Sequence, residues 1–239
     1  MTHALSNSQG IKMSDWSAKN WARAKDILII GSDHITKVYL DGLISYIEKN
    51  NPVVICLNIN NSFPEELVSA YIACDQSQIL IESECYSDLK KPIILPLNNL
   101  PNDLTKFLKN IDVLNYGLKI QTGKFEVLEN FCVLEKSLLI NYALSFANAS
   151  GAKRVLLTGL DGYKETDPRQ NEMVTLLQKY KNLPNSIPIY AVTPTSYPIE
   201  DKSIYISSRF VEMATLLEKG KYFKLVCGAG NEDTEEVKR

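Results

Sequence analysis

The order of apolar runs and helix-period segments predicts an α/β domain: a mostly parallel sheet flanked by helices, in a single domain. Two observations carry that expectation. Runs such as Ile27–Ile30, Val53–Leu57 and Val155–Leu157 are apolar at every position, as strands covered on both faces are. Between them lie stretches with apolar residues three and four apart, the period of a helix resting on a sheet.

The elements follow in order. Asp26–Ile30 reads as a strand ending at Gly31, and Ile35 to Lys49 as one helix carrying Val38, Leu40, Leu43, Ile44 and Ile47, stopped by Asn50-Asn51-Pro52. Val53–Leu57 is a second buried strand that closes in Asn58-Ile59-Asn60-Asn61. A short helix is expected over Phe63–Ser69, a third strand over Ala70–Asp75, and a fourth over Pro92–Leu95, weakened by its flanking prolines. The region Leu97–Phe131 is less regular, with a short helix near Leu104–Leu108 and edge strands at Val113–Tyr116 and Phe125–Leu128. Lys136–Asn148 suits a buried helix closed by Ala149-Ser150-Gly151, and Lys153–Thr158 a central strand running into Gly159. Pro168 opens a helix over Arg169–Lys181, Ile187–Val192 is a further strand, and Ser207 caps a last helix, Arg209–Lys219. A short helix around Trp16–Ala24 docks on the body. The domain thus spans residues 26–225, with an N-terminal extension over 1–25 and a charged tail over 226–239 that reads as disordered.

Composition narrows the function classes. The chain has 239 residues, long enough for one large α/β domain, and a formal charge of −2, which gives no general attraction to nucleic acid or an anionic membrane. No apolar run approaches the roughly 20 residues that span a bilayer. The N-terminus lacks the apolar core of a secretory signal. The five cysteines form an odd set without a CxxC pair, which fits a reduced, cytoplasmic protein. His3 and His34 are the only histidines and neither has ligand spacing, so no metal site is expected. Phosphate loops of the GxxxxGK[ST] kind, HExxH and GxSxG are all absent.

In an open parallel sheet, ligands bind beyond the carboxyl ends of the strands. Those ends are polar here: Gly31-Ser32-Asp33-His34, Asn58-Ile59-Asn60, Asp75-Gln76-Ser77, Gly159-Leu160-Asp161-Gly162-Tyr163 and Thr193-Pro194-Thr195. Gly31 allows a tight turn into a helix whose first amides can face an anion, or a plain strand-to-helix turn with Ser32 or Asp33 as its cap. His34 reads as an acid/base, a phosphate contact or an exposed loop residue. Asn58 and Asn60 can grip a base, ribose or sugar hydroxyl, or form Asx turns. The segment Gly159–Tyr163 is sharper, because two glycines bracket an acid at the end of a buried strand. Asp167, Arg169 and Gln170 follow within one loop, with Asp167 doubling as a helix cap.

These residues bring a resemblance into view. The order DILIIGSDHITK, PVVICLNIN and KSLLINYALSFANASGAKRVLLTGLDGY resembles the Rossmann-like superfamily of bacterial sialyltransferases and hydroxymethylpterin diphosphokinase-like proteins. The run from about Asp26 to Ile199 is more closely similar to a domain at the C-terminus of some aldolase-like proteins of bacterial surface-polysaccharide clusters. PVVICLNIN, GLDGY…DPRQNEM and AVTPTSYPI carry that likeness. The resemblance matches Gly31, Asn58, Ser137 and Gly159 to nucleotide contacts, and Asp161 and Tyr163 to the GxDxY segment. Together with the polar strand ends it leads to the expectation that Gly31, Ser32, Asp33, His34, Asn58, Asn60, Ser137 and Gly159 bind a nucleotide, that Asp161 or Asp167 supplies the acid/base group, and that Tyr163, Arg169, Gln170, Thr193 and Thr195 face the acceptor or sugar.

Two departures stand against an unaltered mechanism. The first loop reads GSDHI where the sialyltransferases have GxGPS, and so places Asp33 where a phosphate approaches. The catalytic histidine that follows the family's GxDxY segment has no counterpart. Three functions follow as expectations: glycosyl transfer from a nucleotide-sugar in surface-glycan biosynthesis, a non-catalytic module that binds a sugar or nucleotide or docks an aldolase-like protein, and pyrophosphoryl transfer dependent on magnesium.

Overall fold

Asp26–Ile30 forms the strand β1, and its four isoleucine and leucine side chains are completely buried. It lies between β2 (Val53–Leu57) and β9 (Arg154–Thr158), parallel to both, with Ile27 in register with Val53 on one side and Val155 on the other. The computed structural model describes residues 14–101, 104, 108 and 111–202, all of which fall in one compact unit, Met1–Lys202. The helix expected at Arg209–Lys219 and the charged tail lie outside the described residues, as does most of the helix expected near Leu104–Leu108.

The main sheet has eight strands, all parallel, in the order β11-β10-β9-β1-β2-β3-β4-β5. The outer members are β3 (Ala70–Ile72), β4 (Ile93–Leu95), β5 (Val113–Asn115), β10 (Ile189–Ala191) and β11 (Glu200–Asp201). The chain winds outward from β1 to β5, returns to lay β9 against the other side of β1, and continues to β11. The direction of winding therefore reverses between β1 and β9. This is the doubly wound, Rossmann-like arrangement that the sequence predicts.

Alternate strand residues face opposite sides of the sheet. Ile27, Ile29, Val53, Ile55, Leu57, Ile72, Val155 and Leu157 share one core with Ile140, Ala143, Leu144 and Ala147 of α5 (Leu139–Ala149) and with Leu177 and Tyr180 of α6 (Pro168–Lys181). Leu28, Ile30, Val54, Cys56 and Ile93 are equally buried. Leu43 and Ile47 of α2 (Leu40–Asn50), Ile79 of α3 (Gln76–Ile81) and Tyr86 of α4 (Ser83–Tyr86) are buried outside the first core, as expected if these helices, with α1 (His34–Val38), cover the second face through right-handed crossovers.

The structure departs from the sequence expectations in four places. The single helix expected over Ile35–Lys49 breaks at Tyr39 (φ −102°, ψ 11°), after a segment in which Ile35, Thr36 and Val38 are β-branched and lower helix propensity. The helices α3 and α4 fill a stretch for which no element is expected from the sequence. Trp16–Ala24 forms turns rather than a helix, although it docks as expected: Trp16 stacks on Phe146 at 6.1 Å and Trp21 meets the same ring edge-on at 5.2 Å. Finally, a small second sheet, β6 (Gly117–Ile120), β8 (Phe131–Leu134) and β7 (Glu126–Val127), occupies the irregular middle, with β8 between the other two. No helix among the described residues is long and apolar enough to cross a membrane.

Candidate functional site

The reversal point brings the first and fourth of the polar strand ends into contact. Gly31 donates its amide to Thr158 O at 2.8 Å, and the two loops touch backbone to backbone just beyond. A methyl group on Gly31 would lie 2.0 Å from the Gly159 carbonyl oxygen. Gly159 adopts φ +67°, and a methyl group there would meet Thr36 Oγ1 at 2.2 Å and Gly31 O at 2.6 Å. Both glycines are therefore required by the closeness of the loops.

Asp33 precedes α1 but makes no side-chain cap to it. Its Oδ2 instead accepts a hydrogen bond from the Asp161 amide at 2.9 Å, fastening the loop after β9 to the loop after β1. Asp161 itself is half-buried, and its Oδ1 is shielded and accepts no hydrogen bond. Burial, reinforced by the negative charge of Asp33, raises the Asp161 pKa above the ordinary aspartate range, with the Ile35 amide and His34 offsetting part of the effect.

The loop after β2 supports this pair. Asn60 is 7% exposed and donates from Nδ2 to Gly31 O at 3.2 Å, while its Oδ1 accepts from the Ser62 amide. Thr36, also buried, donates to the same Gly31 carbonyl at 3.2 Å. Asn58 takes left-handed backbone geometry (φ 55°) at the turn out of β2. The carbonyl behind the first loop is thus held by the chain's own side chains, and two carboxylates stand beside it.

On the other side, Asp167 caps α6 by accepting from the Arg169 amide at 2.9 Å, and its carboxylate also pairs with the Arg169 guanidinium at 2.7 Å. That pairing holds the Asp167 pKa below the usual range. The Arg169 guanidinium lies over the Tyr163 ring, 4.2 Å from its centre, which leaves Tyr163 and Arg169 as an exposed cationic and aromatic platform.

Gln170 is buried and ties two loops together. Its Oε1 accepts from the Tyr163 amide at 2.9 Å, and its Nε2 donates to Ser196 Oγ at 3.1 Å. Gln170→Ala is expected to cost about 2 kcal/mol, because it leaves the Tyr163 amide without its acceptor. Urea denaturation measures this, and faster proteolysis within residues 160–167 accompanies it.

The remaining sequence candidates separate. Ser32 on the first loop and His34 at the start of α1 are exposed, and Thr195 donates to Leu160 O at 2.6 Å, pinning the loop after β10 to that after β9. Thr193 is buried and its hydroxyl pairs with Thr158 at 3.1 Å. Ser137 lies before the first turn of α5 with its hydroxyl 3.4 Å from Cys74 O, beyond β3 and so two strands from β1, roughly 10 Å away. Asp75 caps α3 through the Gln78 amide.

Two residues went unnoticed in the sequence. Ser196 donates its amide to Asp161 O at 2.9 Å. The buried Tyr197 sits close enough to Tyr163, Asp33 and Asp167 that their charges, added to the larger effect of its burial, push its hydroxyl to about 12. Both belong to the polar run Thr193–Tyr197, whose length was the available signal.

These features define a Rossmann-like α/β domain whose reversal point carries the Asp33 and Asp161 carboxylates, with Tyr163, Arg169 and Tyr197 close by. Comparison with protein-family models, with curated proteins and with solved structures finds no match for the chain.

Proposed function

We propose that the chain is a sialyltransferase-like domain that holds a nucleotide-sugar between the ends of β1 and β9 and transfers its sugar in bacterial surface-glycan biosynthesis. The observation that supports this most is Asp161, a carboxylate at the reversal point with a raised pKa and an unpartnered oxygen. A carboxylate held above the ordinary aspartate range is a stronger base than a free one, as general-base work requires. In this reading Asp161 takes the proton of an acceptor hydroxyl as that oxygen bonds to the anomeric carbon. The bond from sugar to nucleotide phosphate breaks, and the nucleotide leaves with the electron pair. Tyr163 and Arg169 face the sugar or acceptor, and Asp167 acts by fixing Arg169.

A second reading, a non-catalytic module for a sugar, nucleotide or aldolase-like partner, is favoured by the state of the first loop. The Gly31 and Asp33 amides are already given to Thr158 O and Gly159 O, and the Asp33 and Asp161 carboxylates oppose an approaching phosphate. Pyrophosphoryl transfer would need a magnesium ion between those carboxylates and the phosphates. Among the described residues, no group of three His, Cys, Asp or Glu side chains is placed to hold a metal, so phosphate oxygens would have to complete the shell.

Calorimetry with CMP, CDP, ATP and their sugar conjugates, with and without magnesium, distinguishes the three. The expected result is magnesium-independent binding of a nucleotide-sugar, weakened or rendered unproductive by Asp161→Ala. Failure of every nucleotide to bind supports the accessory module, and magnesium-dependent ATP binding supports pyrophosphoryl transfer. If Asp161→Ala leaves both binding and turnover intact, the site is assigned wrongly.

A further inference from the structure

Asn141, in the first turn of α5, is 2% exposed and lies among the apolar side chains of the core. Its main-chain carbonyl accepts a hydrogen bond from Ser145 Oγ at 2.7 Å, but its side-chain Oδ1 is shielded and accepts none. Buried amide oxygens are ordinarily paired. Asn141 also lines a cavity of about 250 Å³ bounded by the Gly123–Phe125 turn, α5 and the second half of α6. That is just below the roughly 300 Å³ at which pockets for small molecules begin, and so leaves room for one ring.

The walls are chemically mixed. Phe125 packs against Tyr180 with ring centres 6.2 Å apart, which fixes one apolar wall, and Leu176 extends it. Lys179 Nζ and Glu135 Oε2 form an ion pair among the lining residues, and Asn182 stands exposed beside them. A carboxylate or phosphate entering here meets Glu135, and an ammonium meets Lys179. An uncharged ligand meets neither penalty. Hydroxyl groups both donate and accept, so neighbouring hydroxyls on one ring satisfy Glu135 and Lys179 together, with the Asn141 side chain at the cavity wall beside them. The C–H face of such a ring lies against Phe125 and Leu176. A nucleobase offers fixed donor and acceptor edges and lacks that freedom.

We propose that this cavity is a binding site for one neutral sugar ring. None of its residues belongs to the strand-end site, so it stands or falls independently of the transfer reaction proposed there.

The test is a titration of isotope-labelled protein, followed by NMR, with glucose, galactose and N-acetylglucosamine, and with uridine and inorganic phosphate as contrasting probes. At least one sugar is expected to shift the Asn141 side-chain amide together with the Gly123 and Lys179 backbone signals. Binding is expected to weaken roughly tenfold or more in Asn141→Leu and in Asn182→Trp, and to be unchanged in Asp161→Asn. Asn182 caps the end of α6 from an exposed position, so its replacement obstructs the cavity without disturbing the core and decides the matter should Asn141→Leu fail to fold. Absence of these shifts with all three sugars at tens of millimolar overturns the proposal. So does a response to uridine or phosphate in place of the sugars.

Discussion

Gly31→Ala is expected to destabilise the fold by about 3 kcal/mol, the upper range for overpacking at a site that cannot relax. The added methyl group would lie 2.0 Å from the Gly159 carbonyl oxygen and 2.7 Å from its carbon, both main-chain atoms. Neither loop is free to retreat. Gly31 is bonded to Thr158 directly after the β1–β9 ladder, whose last pair is Ile30 with Thr158, and the Asp33 to Asp161 bond clamps the loops from above. Gly159→Ala meets a similar obstruction from Thr36 Oγ1 and Gly31 O and adds the strain of φ +67°. Gly123 separates the two causes, since it has φ +71° with nothing within 4 Å of an added methyl group. Gly123→Ala is therefore expected to cost only the left-handed backbone penalty, about 1 kcal/mol. Urea denaturation of the three variants measures the difference. Equal losses at Gly31 and Gly123 would show that loop contact at the reversal point is not what Gly31 secures.

The same contact marks the limit of what the sequence makes legible. Apolar runs identify β1, β2 and β9 because each is buried on both faces, and the five polar strand ends follow from where those runs stop. Pro168 with Asp167 before it announces α6 to within one residue. The second sheet is legible only at β7, which falls inside the edge strand expected over Phe125–Leu128; β6 and β8 pair in parallel across intervening chain, and four-residue strands are too short to carry a period of their own. The break at Tyr39 is hidden because the apolar spacing continues through it. At the site, residue types are visible in the sequence but partners are not. Asp33 reads as a cap for α1, yet it bonds the loop after β9, 128 positions away. Asn60 reads as a ligand contact or an Asx turn, and it makes the turn while also holding Gly31. Such choices depend on strand order, which no local pattern encodes.

Asp161→Asn is expected to separate function from stability. Where the nucleotide-sugar that binds also supports turnover, loss of the base lowers that turnover roughly 100-fold or more. The fold at pH 7, by contrast, is expected to gain up to about 1 kcal/mol, as replacements at strained functional positions often do. The sign follows from Asp161's raised pKa: the native state favours the protonated carboxyl. Stability is therefore lost as pH rises from the ordinary aspartate range through that raised value, and an uncharged amide escapes the loss. The gain should shrink as the pH is lowered and vanish once Asp161 is protonated in the native and unfolded chains alike. Asp33→Asn supplies the complementary measurement. It removes the like charge that helps to raise Asp161, while its amide oxygen still accepts from the Asp161 amide. The acidic limb of the pH–rate profile then moves to lower pH. An Asp161→Asn variant that is less stable at pH 7 and fully active would make Asp161 a loop fastener, and the accessory module would become the better reading of the site.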